Sequence, residues 1–319
     1  MDTEEPREKT IRMVTLNLGY NVTSNKVRGS ERSQVSVCRR TYSETEGWTV
    51  ERDISQCTAN SIDFLVEADI IGLQEFNPDF AEVFRERLRE AGKKRGRIYY
   101  CWKNGTLLLI ADSKIVGMGE GVTPEGFEFY DPEIITDERK FQLVYFPQER
   151  LLVGNLHAPH DINLKRALGD AFDRSLFYLM REGIVDPKGR GGTEIEKIAI
   201  LGDFNDNHRQ LLNRSESSYG TDDSKELKFP LGNESSMKLF IPVRTDQVPK
   251  TCCRDVDFIY RGDYILLGNN PLVSAVVEYY NVPPGYVRDQ TPISDHDPLL
   301  ATVSYLGISE RGYVNPIRK

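Results

Sequence analysis

Five short segments place oxygen- and nitrogen-bearing side chains directly after apolar runs. They are Thr15-Leu16-Asn17, Leu73-Gln74-Glu75, Asn155-Leu156-His157, Gly202-Asp203-Phe204-Asn205 and Ser294-Asp295-His296-Asp297. The groups on offer are carboxylates, carboxamides and imidazoles, with no thiolate among them. Such a set suits a hard cation such as Mg2+ or Mn2+. The chain has four histidines, and two of them lie in these segments. Phosphate-ester hydrolysis needs such parts: a cation to neutralise charge on the non-bridging oxygens, a carboxylate or imidazole to take a proton from water, and an acid or metal to stabilise the leaving oxygen. Mg2+ keeps several waters and often takes only one or two protein carboxylates, so Glu75 as its main anchor fits that habit. Each residue alone has an ordinary structural reading. Asn17 closes a turn, Glu75 caps a helix, Asp203 turns a strand end, and His157 and His296 are hydrogen-bonded structural histidines. The set taken together carries the signal. A Gly-Asp-x-Asn arises by chance in roughly one chain of this length in twenty. Ser-Asp-His is about as rare, and both follow apolar strands.

Strand ends on a rigid sheet hold such groups best. Strands are expected at Ile11 to Leu16, Asp69 to Gln74, Leu107 to Ala111, Phe141 to Phe146, Leu151 to Leu156 and Ile198 to Leu201. Further strands are expected at Val256 to Tyr260, Tyr264 to Leu267, Ser274 to Tyr280 and Leu299 to Tyr305. A helix is expected from Thr58 through Ala68, a second from the Asn77-Pro78 start signal to Gly92, and a third after Asn163. In the third, Leu164, Ala167, Leu168, Ala171, Phe172, Leu176 and Leu179 recur at helical spacing and belong to core packing. The polar stretches Asn21 to Gln56 and Asn213 to Ser236 read as loops. There is no internal repeat and no separating linker. Short strands with helices between them give a layered α/β class.

The 319 residues allow one large domain with a substantial core. The expected organisation is a tail over 1–10, a single domain over 11–306 and a tail over 307–319. Net charge is −8, which does not advertise nucleic-acid binding, although a local basic stripe plus a cation outweighs it where the two coincide. The run Lys93-Lys94-Arg95-Gly96-Arg97 reads as a solvated helix end rather than a nucleic-acid track. No stretch approaches the length of a membrane span, and the start lacks an apolar signal core. An intracellular protein is expected, with no protein partner inferable. The five cysteines, with Cys252 and Cys253 adjacent, read as reduced and without a shared role.

The segments together resemble the endonuclease/exonuclease/phosphatase superfamily, and within it the DNase I-like nucleases, over about residues 11 to 306. The resemblance implies a layered β-sandwich of two mostly antiparallel sheets flanked by helices, with the active site at one edge. It implies that Glu75 is the principal metal ligand, helped by Asn17. Asp203 and Asn205 are the pair that activates water and touches the phosphate. His296 is the active-site histidine, with Asp295 beside it as a metal or supporting carboxylate. Asp257, in Asp255-Val256-Asp257-Phe258-Ile259, is implied to orient that histidine. His157 is implied as the acid for the leaving oxygen, and Arg139 as a contact to phosphate. The glutamate that supports the second histidine in relatives has Asn104 or Gly105 as its nearest counterpart here. The Asn21 to Gln56 stretch is an insertion near the site.

The activity implied is Mg2+- or Mn2+-dependent hydrolysis of phosphodiester bonds, with a nucleic acid as substrate. A phosphatase or phospholipase-like enzyme acting on a small or lipid phosphate, or on a protein–DNA phosphotyrosyl link, is the alternative within the superfamily. A non-catalytic binding module would have lost metal or base residues, and none is lost among Asn17, Glu75, Asp203, Asn205, Asp257, Asp295 and His296.

Overall fold

Along the first strand, β1 (Thr10–Asn17), alternate side chains enter two different cores. Ile11 and Met13 point to one and Val14 and Leu16 to the other, the period of two that an extended backbone imposes. The computed structural model describes residues 10–19, 40–43, 47–50, 65, 67–76, 86, 89–90, 97–101, 107–112, 125–127, 141–146, 149–161, 195–205, 226–228, 238–240, 242–243, 247–252, 261–269, 273–284, 294 and 296–307.

The same alternation recurs in β4 (Ile70–Gln74) and β6 (Leu108–Asp112). Ile70, Leu109 and Ala111 join Met13, while Ile71, Leu73, Leu108 and Ile110 join Val14 on the opposite face, where Leu65 covers them. With β5 (Arg97–Cys101), β14 (Val273–Asn281) and β15 (Leu299–Gly307), these strands form a six-stranded sheet in the order β14-β15-β1-β4-β6-β5. The second sheet contains β7 (Glu125–Phe127), β8 (Phe141–Phe146), β9 (Leu151–His157), β10 (Lys197–Asp203), β11 (Glu226–Lys228), β12 (Lys238–Phe240) and β13 (Asp263–Asn269). Its seven strands run in the order β11-β12-β13-β10-β9-β8-β7. The two sheets pack face to face through a shared core that includes Met13, Ile70, Leu143, Val153, Ile200, Leu266 and Val303.

Each sheet is antiparallel except for one pair, and those pairs decide where the site lies. β1 runs parallel to β4, with Asn17 opposite Gln74. β9 runs parallel to β10, with His157 opposite Asp203. The four carboxyl ends therefore share one rim. Among the antiparallel strands that begin at that rim are β13, with Asp263 opposite Asp203, and β15, with Leu299 opposite Thr15. At Gly202 the backbone of β10 approaches β9 so closely that a Cβ would lie 2.2 Å from the Leu156 carbonyl oxygen. Only glycine fits there, one residue before Asp203.

The expected apolar strands from Ile11 to Leu16 through Leu299 to Tyr305 are present, apart from Val256 to Tyr260, which lies outside the described residues. The expected loops are not wholly loops. A two-stranded sheet of β2 (Arg40–Ser43) and β3 (Gly47–Val50) lies within Asn21 to Gln56, and β11 lies within Asn213 to Ser236. Arg97, read as part of a helix end, opens β5. These segments are short, three to five residues each, too few for apolar alternation to mark them as strands. Of the expected helices, Leu65, Glu86, Arg89 and Glu90 are described as helical, and the helix after Asn163 lies outside the described residues. Among the described residues no helix is long and apolar enough to cross a membrane.

Candidate active site

Side chains facing between the sheets change character toward the rim. On β1 the sequence Ile11, Met13, Thr15, Asn17 passes from apolar to hydroxyl to carboxamide. On β4, Ile70, Gly72 and Gln74 follow the same course, and Glu75 comes next. Thr15, Asn17 and Gln74 are nonetheless buried, so their polar groups depend on hydrogen-bond partners within the fold.

Four residues from four strand ends meet at this point. Asn17 Nδ2 donates to Asp203 Oδ2 at 2.9 Å and to Glu75 Oε1 at 3.2 Å. Its own amide oxygen accepts from Gly19 N at 2.8 Å. Asn17 thus clamps the two carboxylates together, one from each sheet. His157 Nε2 lies 3.4 Å from Glu75 Oε1 and 3.7 Å from Asp203 Oδ2. His157 and Asp203 are buried, whereas Glu75 is partly open. Glu75 has a positive φ of 51°, and Asn205 one of 48°. Left-handed backbone is unusual for a glutamate, and such residues cluster where function over-determines the geometry.

Asn205 folds back on the same strand end. Its backbone N–H donates to Asp203 Oδ1 at 2.8 Å, and its Nδ2 donates to the Ala158 carbonyl at 2.7 Å. The Asp203 carbonyl accepts from Ala158 N at 2.8 Å, so the segments after β9 and β10 are tied together. Burial, above all, pushes the Asp203 carboxyl above its ordinary range. His296 pulls it back down, the nearby Asp263 charge raises it, and His157 and the Asn17 hydrogen bond lower it.

His296 stands on the other side of Asp203, with Nε2 3.9 Å from Asp203 Oδ2. Its Nδ1 is 2.9 Å from Asp263 Oδ2. The same oxygen accepts from Thr251 Oγ1 at 2.6 Å, and the Thr251 carbonyl accepts from Asp297 N at 2.8 Å. The carboxylate on His296 is Asp263. Asp257 lies outside the described residues. Register brings Asp263 to the rim: β13 begins with it, opposite Asp203. Asp263 follows the same pattern as the other segments, a polar residue at the rim end of an apolar strand, here before Tyr264-Ile265-Leu266-Leu267. Applying that pattern to strand beginnings as well as strand ends would have found it.

Asn17, Glu75, His157, Asp203, Asn205 and His296 thus come together as a set, and Asp263 and Thr251 join them. Arg139 and Asp295 lie outside the described residues. Cys252, beside Thr251, is disulfide-bonded, a correction to the expectation of reduced cysteines. A count of five leaves room for bonded pairs, and tertiary proximity, not count, decides them. The Cys252 Cβ would touch a Cβ on Gly262 at 3.4 Å, and that added atom would also lie 3.3 Å from Asp203 Oδ1.

The donor chemistry fits a hard divalent cation. Glu75 and Asp203 direct carboxylate oxygens at one point, the Asp203 charge is unfavourable where it is buried, and Asp263 Oδ1 is buried without a hydrogen-bond partner. Asp203, Asp263 and His296 also bring ligand atoms within 4.8 Å of one another.

No family model matches the chain, and no curated protein matches it by sequence. Solved structures do. The chain is similar to ANGEL2, described as a 2',3'-cyclic phosphatase and solved with adenosine-2',3'-vanadate, with 12% identity, TM-score 0.54, and 93% of this chain and 96% of that one covered. It is similar to a humanised D. rerio TDP2 carrying 14 mutations, at 11% identity and TM-score 0.51, with 92% and 99% covered. It is also similar to the catalytic domain of human Nocturnin with bound sulfate, at 14% identity and TM-score 0.50, with 94% and 96% covered.

Proposed function

We propose that this chain, whose fold is the DNase I-like sandwich of the endonuclease/exonuclease/phosphatase superfamily, is a divalent-cation-dependent phosphodiesterase acting on nucleic acid. The observation that carries the reading is the convergence of Glu75, Asn17, Asp203 and His157 from four strand ends, with His296 held behind them.

In this reading Glu75 is the main holder of Mg2+ or Mn2+, with Asp203 beside it and Asp295 as a further carboxylate. When bound, the cation supplies positive charge to the non-bridging phosphate oxygens. The remaining work falls to the chain's own groups. Asp203 takes a proton from the attacking water. Asn205 contributes a carboxamide at the same strand end for the phosphate, and Arg139 a guanidinium. With Nδ1 on Asp263, His296 is fixed in orientation and turns Nε2 toward Asp203, where it shares the proton. His157, between Glu75 and Asp203, supplies a proton to the leaving oxygen.

A second reading, a phosphatase or phosphodiesterase for a small phosphate ester, is favoured by the net charge of −8 and by the likeness to a 2',3'-cyclic phosphatase. One experiment separates the two. Supercoiled plasmid, linear duplex, single-stranded DNA, RNA, a 2',3'-cyclic nucleotide and a small aryl phosphodiester are incubated with the protein in Mg2+ or Mn2+, with a chelator control. Cleavage of a polynucleotide that disappears with chelator, and falls about 10²–10⁴-fold in His296→Ala, is expected. Turnover of the small esters alone would replace the nucleic-acid reading with the second one.

A further inference from the structure

Beneath the rim lies a second group of polar side chains. Asn155, fully buried on β9, accepts from Gln74 Nε2 at 2.7 Å through its amide oxygen. Its Nδ2 reaches the Leu73 carbonyl at 3.1 Å, Gln142 Oε1 at 3.0 Å and the Leu108 carbonyl at 3.4 Å. Gln74 in turn donates to Thr15 Oγ1 at 3.0 Å and to the Gly72 carbonyl at 3.2 Å. Leu73 and Leu108 are a register pair in the six-stranded sheet, whereas Asn155 and Gln142 are a register pair in the seven-stranded sheet. One carboxamide thus crosses from one sheet to the backbone of the other.

An apolar interlayer tolerates sliding, because dispersion contacts have little direction. A buried carboxamide with its donors and acceptors engaged does not, since any shift leaves a polar group unpaired. The sheets also approach closely here: a Cβ on Gly72 would lie 2.9 Å from Asn155 Oδ1 and 3.0 Å from the Leu201 Cβ. Gln74 is followed by Glu75, and Asn155 stands two residues before His157 on the same strand face. The contacts of the site, Glu75 to His157 and Asn17 to Asp203, span the two sheets.

We infer that Asn155 is a positioning residue: by locking the two sheets together beneath the rim, it sets the distance of Glu75 from His157 and Asp203 and so the cation affinity of the site. The inference rests on the cation-dependent reading of the rim given above.

The test uses the full chain, with Asn155→Leu and Gly72→Ala as variants. The first removes the crossing carboxamide at similar volume. The second pushes the sheets apart without touching any group at the rim. The Mn2+ dissociation constant is measured from the spin-resonance signal of free Mn2+, kcat and KM on the best substrate of the survey, and Tm alongside. Asn155→Leu is expected to weaken Mn2+ binding and to lower kcat about 10–100-fold with KM little changed. Gly72→Ala is expected to move both in the same direction by less. A folded Asn155→Leu protein that loses Tm but binds Mn2+ and turns over like the wild type overturns the inference. If Asn155→Leu does not fold, unchanged Mn2+ affinity and kcat in Gly72→Ala overturn it. A wild-type protein that neither binds Mn2+ nor hydrolyses any ester fails at the earlier step, and sinks the phosphodiesterase reading and the role of Asn155 together.

Discussion

Asp203 is held in a place that a carboxylate on its own would avoid. It is buried near Asp263, with Asn17, the Asn205 N–H and two imidazoles around it. Because its proton affinity is raised in the fold, the folded state binds that proton more tightly than the unfolded chain does. The contribution of Asp203 to stability is therefore greatest at low pH, and is lost as pH rises from the ordinary carboxylate range through the raised value. A carboxamide in its place carries no charge at any pH. In chelator, Asp203→Asn is expected to show a higher Tm than the wild type near neutral pH, with the gap closing as pH falls toward 4. The same variant is expected to lose about 10²–10⁴-fold in activity with the cation present. Calorimetry across pH checks the first part. A wild-type protein that stays the more stable one at neutral pH without cation would show that the local hydrogen bonds outweigh the cost of burial.

At the scale of elements, the strands that carry Asn17, Glu75, His157 and Asp203 were legible because each is a run of apolar residues that ends abruptly in polar ones. What the sequence could not supply was register. Asp257-Phe258-Ile259 and Asp263-Tyr264-Ile265 are the same local pattern written twice, six positions apart in number, and no periodicity chooses between them. The ladder with β10 sets Asp263 opposite Asp203. Asp263→Asn is expected to lower kcat/KM about a hundredfold or more, with Tm followed alongside. A folded Asp263→Asn protein that keeps full activity would remove Asp263 from the site. The β2–β3 hairpin and β11 stayed hidden for another reason: they are only three or four residues long, set within polar stretches, and defined by their pairing. The polar layer of Thr15, Gln74, Gln142 and Asn155 was likewise illegible. In sequence each is a lone polar residue in an apolar strand, and only the packing of two sheets makes them neighbours.

For the molecule as a whole, the rim gathers carboxylates from both sheets in a chain that already carries a net charge of −8. A cation that binds this rim in the folded state, and has no comparable site in the unfolded chain, must stabilise the fold by mass action. At free Mn2+ of 100 times its dissociation constant the gain is about 2.7 kcal/mol. A rise in Tm of several degrees is expected on addition of Mn2+, abolished by chelator and reduced in Glu75→Gln. Thermal melts at graded Mn2+ check this. A Tm indifferent to Mn2+ would mean that the rim does not bind it in the folded state.

The six-stranded sheet is joined at its centre by the first strand and the last: Thr10 bonds to Ser304 across 294 residues of chain, and Asn17 and His296 flank the same carboxylate from opposite ends of the sequence. Such distant pairings are slow to form, because a long loop must close before any contact rewards it. During synthesis, β1 leaves the ribosome well before β15 and must wait for it before that edge is paired. Until then it is an unpaired edge of the kind that draws other chains into aggregation. Expression yield should therefore depend on how quickly β15 follows β1, and cation binding at the rim would report that the two have paired.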